Sequence, residues 1–200
     1  MVITSPKLMT FSEFIEWIPE NGYYELINGV VCEMQPKGKH EEIIAFIEGE
    51  LFLETRRLNL ATIFPKKALV KAIDKESGYF PDLLIVDKNA LQNEPLWENH
   101  STITKGSSIN LVIEVVSSNW RDDYVYKLND YERLGIFEYW IIDYLGLGGR
   151  RYIGDPKQPT LTICNLVDGE YQLQLLKKGD RIVSQVFPEL NLTIEQIFAG

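Results

Sequence analysis

The sequence predicts an α/β fold, a mixed sheet flanked by helices, and three observations lead there. Stretches with helical periodicity alternate with runs rich in β-branched and aromatic residues. The 200 residues, 45 % hydrophobic, are enough to bury a full core, so a single domain over 1–200 is expected. Three acidic residues stand in apolar runs: Glu25 in YYELINGVV, Asp82 in YFPDLLIVDK and Glu114 in INLVIEVVSS.

The elements follow in chain order. Thr10 and Glu13 form a capping box that opens a short helix, ended by Pro19. YYELINGVVCEM reads as a hairpin turning at Asn28-Gly29, a dipeptide suited to a two-residue turn in which both positions need positive φ. Between His40 and Leu58, the residues Ile44, Ile47, Leu51 and Leu58 recur at helical spacing, with charged residues opposite. TIFPKKALVKA, YFPDLLIV and INLVIEVV read as three strands, the last almost wholly apolar and therefore central. Gln92 to Ser108 is a polar connector. Tyr124, Leu128, Tyr131 and Leu134 mark one face of a helix from Arg121 to Leu134, stopped by Gly135. EYWIIDY is a further strand, Asp168-Gly169 turns a second hairpin, and Thr193 with Gln196 caps a short final helix. The predicted order is helix, three strands, helix, strand, with a helix and hairpin before it and a hairpin and helix after it.

Composition narrows the function. No run of about 18 apolar residues is present, which argues against a membrane span, and no charged leader precedes an apolar stretch. Cys32 and Cys164 fit neither a metal spacing nor a disulfide framework, so a reducing, cytoplasmic setting suits them. His40 and His100 are too scattered for a zinc site or a Ser-His or Cys-His nucleophile. The net charge of -9 argues against coating nucleic acid by charge alone. Short basic clusters remain, Arg56-Arg57, Lys66-Lys67 with Lys71, Arg150-Arg151 and Lys177-Lys178, which folding can gather around an acidic site or leave as solvated charges. GLGG at 146–149 follows a strand but opens no recognisable helix, so a phosphate-cradling loop is not expected.

A carboxylate among Leu, Ile and Val is costly unless compensated, so three such placements point to a site. Two unit charges about 4 Å apart repel by roughly 4 kcal/mol at an effective dielectric near 20, and a divalent cation reverses that sign. Lys127, in DDYVYKLNDYERLG, adds the kind of group that hydrolytic phosphate chemistry uses.

Pro81-Asp82 opening one strand and Glu114 in the next, followed by a helix and a strand, resemble the PD-(D/E)XK nuclease superfamily of restriction-endonuclease-like proteins. The wider pattern YELINGVV, FPDLLIV, LVIEVVSSNWRDDYVYK and EYWIID resembles its Uma-two branch over roughly 11–143. The resemblance implies a restriction-endonuclease-like core and an Mg2+- or Mn2+-dependent endonuclease acting on DNA. It makes Asp82 and Glu114 the central metal ligands, Glu25 an additional one, and all three catalytic together with Lys127. A nuclease-fold protein that binds nucleic acid or a protein partner without cutting is the alternative. The superfamily's lysine two residues after the strand glutamate is replaced here by Val116, and Lys127 is the nearest substitute, sharing a helical face with Asp123 and Tyr131. Lys127 otherwise reads as an intrahelical partner of Asp123, Glu25 as a solvent-facing hairpin residue, and His40 as a surface residue at a helix start. Tyr131, Tyr139 and Trp140 read as core. A two-fold homodimer is the expected assembly for cutting both strands of a duplex.

Overall fold

The computed structural model describes residues 8–19, 22–34 and 38–200. Its first elements are α1 (Phe11–Trp17), β1 (Tyr24–Ile27), β2 (Val30–Glu33) and α2 (Gly38–Arg57). Thr10 and Glu13 cap α1 reciprocally, and Asn28 and Gly29 turn the hairpin with φ of 49° and 80°. α2 covers the predicted amphipathic helix and buries Ile43, Ile44, Ile47 and Leu51, each contributing roughly 1.5–3 kcal/mol.

The strand runs that follow differ from expectation. TIFPKKALVKA splits into β3 (Thr62–Ile63) and β4 (Leu69–Lys71), and GYFPDLLIVD splits into β5 (Gly78–Tyr79) and β6 (Leu83–Asp87). Each break falls at a proline, Pro65 or Pro81, which lacks the N–H that a continuous strand would donate. At each break the chain passes between two sheets, because β3 and β6 belong to one and β4 and β5 to the other. The polar connector is likewise structured: a 3-10 turn at Leu91–Asn93, then α3 (Trp97–His100), β7 (Thr102–Ile103) and a second 3-10 turn at Gly106–Ser108. Buried Glu94 holds it together by accepting hydrogen bonds from the Thr104 and Lys105 amides and the Ser108 hydroxyl.

β8 (Ile109–Val115) comes next, then a π-helical turn (Asp122–Lys127) running into α4 (Leu128–Leu134), and β9 (Glu138–Asp143). The rest is α5 (Arg150–Ile153), the hairpin β10 (Thr160–Val167) and β11 (Glu170–Leu176), and α6 (Ile194–Ala199). One mixed sheet runs β11-β10-β9-β8-β6-β3 and the other β2-β1-β5-β4-β7. This is a mixed α/β architecture.

Three of these facts position the site. β8 and β9 are parallel, so the chain between them has to cross over one face of the sheet, and the π turn with α4 makes that crossover. Side chains alternate between faces along a strand, and on β8 Leu111, Ile113 and Val115 join the core beneath α2 and α6, while Val112 joins the core beneath α4. Glu114 therefore faces the crossover. Leu83 and Leu84 pair with Ile113 and Val112, so Asp82, one residue before β6, lies opposite Glu114 on that same face.

Candidate active site

Lys127 lies at the centre. Its Nζ is 3.0 Å from Glu114 Oε2, 3.2 Å from Glu25 Oε1 and 3.8 Å from Asp123 Oδ1, and the side chain is only 3 % exposed. Three parts of the fold deliver these carboxylates: β8 of the larger sheet, β1 of the smaller sheet, and the π turn that carries Lys127 itself. The Tyr79 ring also lies 5.7 Å from the ammonium. Lys127 is thus both the reach over the site and the intrahelical partner of Asp123 that the sequence offered as alternatives.

Each acid is held individually. Tyr131 donates its hydroxyl to Glu114 Oε1 at 2.9 Å. Phe80 donates its amide to Glu25 Oε1 at 3.0 Å from the step where the chain leaves β5 for β6, while Glu25 Oε2 is buried with no hydrogen-bond partner. Glu25 is therefore a buried residue and not a solvent-facing one. Asp82 Oδ2 accepts the Val115 amide at 2.7 Å and lies 2.9 Å from His40 Nε2. The backbone carbonyl of Asp123 accepts the Tyr139 hydroxyl at 3.1 Å, which pins the π turn to β9.

Burial sets the electrostatics. It pushes the Glu114 carboxyl well above the usual range and raises Glu25, against the pull of Lys127 on both. Asp123 is pushed up to about 7 for the same reason. Burial alone would lower Lys127, but Glu114, Glu25, Asp123 and Asp82 outweigh it and hold the ammonium charged. The directions are mutually consistent, because one ammonium faces several acids and the surplus negative charge favours retained protons. His40 is raised too, its burial outweighed by the hydrogen bond and charge of Asp82.

The four expected residues, Asp82, Glu114, Glu25 and Lys127, all contribute to one cluster. Asp123 and His40 complete it. Asp123 carried a signal, its spacing of four from Lys127, whereas nothing in the sequence tied His40 to Asp82, so its reading as a surface residue is corrected. Val116 is buried and donates its amide to Ile142, part of the packing beneath the crossover. Lys127 brings an ammonium to Glu114 in place of a lysine there. Tyr131, Tyr139 and Trp140 are core, as read, with the Tyr131 hydroxyl turned to the site.

Of the basic clusters, Arg57 pairs with Glu54 and Glu189, Lys66 with Glu48, and Arg150 with Asp155. The GLGG segment does open a helix, the single turn α5, which corrects the sequence reading. Its amides are not free for phosphate, since Asp143 takes those of Leu147 and Gly148 at 2.9 and 2.7 Å. A groove of about 490 Å3 adjoins the cluster, lined by Val30 and Cys32 of β2 and by Ser118, Asn119, Arg121 and Tyr126 of the crossover.

The two mixed sheets and the crossover over paired acids define a restriction-endonuclease-like α/β protein. A structure with this fold is that described as "a putative nuclease belonging to DUF820" from Anabaena variabilis ATCC 29413, with a TM-score of 0.69 and 16 % identity, covering 96 % of this chain and 98 % of the other. The family model described as "Uma2: Putative restriction endonuclease" matches residues 11–195, and the chain belongs to that family. No curated protein matches the sequence.

Proposed function

We propose that this chain is a metal-dependent endonuclease that hydrolyses DNA phosphodiester bonds, with Mg2+ or Mn2+ as cofactor. One observation carries the reading: Glu25, Glu114 and Asp123 converge from separate elements on a single buried ammonium, with Asp82 beside them. Such a surplus of buried carboxylate is costly for the fold alone and suited to a cation. The donors fit a hard metal, being carboxylate oxygens, and the unpartnered Glu25 Oε2 is an acceptor that the protein's own hydrogen bonds leave over.

Asp82, Glu114 and Glu25 would hold the ion, which when bound supplies Lewis-acid stabilisation of phosphate charge and a more acidic water. The chain's own residues do the rest. His40 and the Val115 amide fix Asp82 Oδ2, and the Asp82 side chain, 24 % exposed, is the acid nearest to solvent. Tyr131 fixes Glu114. Lys127 offsets part of the charge of Glu25 and Glu114 in the free protein and, relieved of them, offers its ammonium to the negative charge that grows on the phosphate in the transition state. Cutting both strands of a duplex would use a two-fold homodimer.

A second reading, a nuclease-fold protein that binds without cutting, has one observation in its favour. Lys127 already sits among these acids as a cation, and among the described residues no three acidic, His or Cys side chains are arranged to hold a metal ion. End-labelled duplex and single-stranded oligonucleotides incubated with Mg2+ or Mn2+ decide between the two. Internal cleavage products support the endonuclease, and intact oligonucleotides under every condition support the binder.

A further inference from the structure

The groove beside the acid cluster contains features that the hydrolytic site does not explain. Arg121 is exposed, its guanidinium lies 4.4 Å from the centre of the Trp120 ring, and no carboxylate among the described residues pairs with it. Trp120 is itself braced against Tyr124 and Tyr152. A guanidinium supported by an aromatic ring and unpaired with a carboxylate has N–H groups to offer, and an arginine fork suits phosphate oxygens. Ser118 and Asn119 of the crossover add a hydroxyl and an amide. Tyr126, 41 % exposed, and Val30, 40 % exposed, offer an aromatic and an apolar surface within the same groove.

The groove borders the site without including its acids. Cys32 on its wall is the cross-strand partner of Glu25, and Asp122, which also lines it, precedes Asp123. Asp122 sets a polarity: its carboxylate repels a phosphate and accepts N–H donors, while Arg121 does the reverse.

We infer that this groove holds one unpaired nucleotide of the substrate strand next to the scissile bond, its phosphate on Arg121, Ser118 and Asn119 and its base against the Tyr126 ring. The inference rests on the nuclease reading and narrows it. A base that stacks on a side chain has left its own stack, so the preferred substrate is single-stranded or locally opened DNA and not intact duplex. The net charge of -9 fits that preference, because broad capture of duplex by charge is weak and recognition falls to a built site.

The test is fluorescence anisotropy in EDTA, with a labelled single strand and the same strand annealed to its complement, so that binding is read without cleavage. The wild type should bind the single strand at least tenfold more tightly than the duplex. Tyr126→Ala should weaken single-strand binding about tenfold, the loss of one stacked base, and Tyr126→Phe should retain it. Arg121→Ala should reduce the slope of log Kd against log salt by about 0.7, the value for one phosphate contact on a single strand. Both side chains are exposed, and unchanged melting temperatures would exclude misfolding. Equal or tighter binding of duplex, or single-strand binding within twofold of wild type in both alanine variants, would overturn the inference even if the protein cuts DNA. Retained Tyr126- and Arg121-dependent binding in a protein that never cuts would uphold the groove and reject the nuclease.

Discussion

Lys127 carries the largest single burden in the molecule. Removing one partner of a buried ion pair leaves the other uncompensated, and here Glu25 and Glu114 would both lose their counter-charge. Lys127→Ala should therefore destabilise the metal-free protein by about 3–5 kcal/mol in chemical denaturation. Mg2+ should raise the melting temperature of this variant more than that of the wild type, because the cation no longer competes with an ammonium. On the proposed function, DNA turnover should nonetheless fall at least about tenfold, since the charge proposed to meet the phosphate is gone. Asp82 makes the converse case. Asp82→Asn keeps an oxygen for the Val115 amide, so it should cost under about 1 kcal/mol, yet it should abolish the metal-induced gain in melting temperature. The acids also impose a pH dependence. Asp123, pushed up to about 7 by burial, holds a proton that the unfolded chain releases near its ordinary value of 3.8. Its contribution to stability is complete below that value and is lost as pH rises to about 7, and Glu25 and Glu114 shift in the same direction. Denaturation of the metal-free protein across pH 4–7 should show stability falling by at most about 1.4 kcal/mol per unit for this group, and Asp123→Asn should flatten the curve.

Elements explain why these residues meet. β8 and β6 pair so that Asp82 and Glu114 are opposite one another, and the parallel β8 and β9 require a crossover that puts Lys127 over that pair. The acids on neighbouring strands and the lysine on the next helix were legible in the sequence, because apolar strands with single acids and a helical face of Asp123, Lys127 and Tyr131 are local patterns, whereas the parallel pairing of β8 with β9 was not. The π turn was not, since one extra residue in a helical repeat leaves no local signature and is held here by the Tyr139 hydroxyl from β9. Nor was the docking of the connector. At Gly106 a Cβ would come within 2.2 Å of the Leu134 carbonyl oxygen, so only glycine lets the 3-10 turn lie against the end of α4. Gly106→Ala should cost at least about 1–3 kcal/mol in thermal or chemical unfolding, the range for overpacking against backbone. A cost within experimental error would show that α4 has room to shift, and Lys127 with it.

At the scale of the whole molecule, the site lies where the two sheets meet. The smaller sheet supplies Glu25, the larger supplies Glu114, and the step at Phe80-Pro81-Asp82 joins them by donating an amide to one acid and presenting another. A sequence read one strand at a time shows the acids but not the second sheet, because the prolines that divide each run register only as interruptions. His40 was invisible for a related reason: its contact with Asp82 spans α2 and the start of β6, and no spacing encodes it. Among the described residues no helix is long and apolar enough to cross a membrane. The most direct measurement is nicking of supercoiled plasmid by the wild type and Glu114→Gln, each with Mg2+ and with EDTA. The acid cluster predicts nicking by the wild type in Mg2+ alone, with the Glu114→Gln rate lower by at least about a hundredfold, the loss of roughly 2.7 kcal/mol of transition-state stabilisation. Equal rates in the two proteins, or an undiminished rate in EDTA, would contradict it.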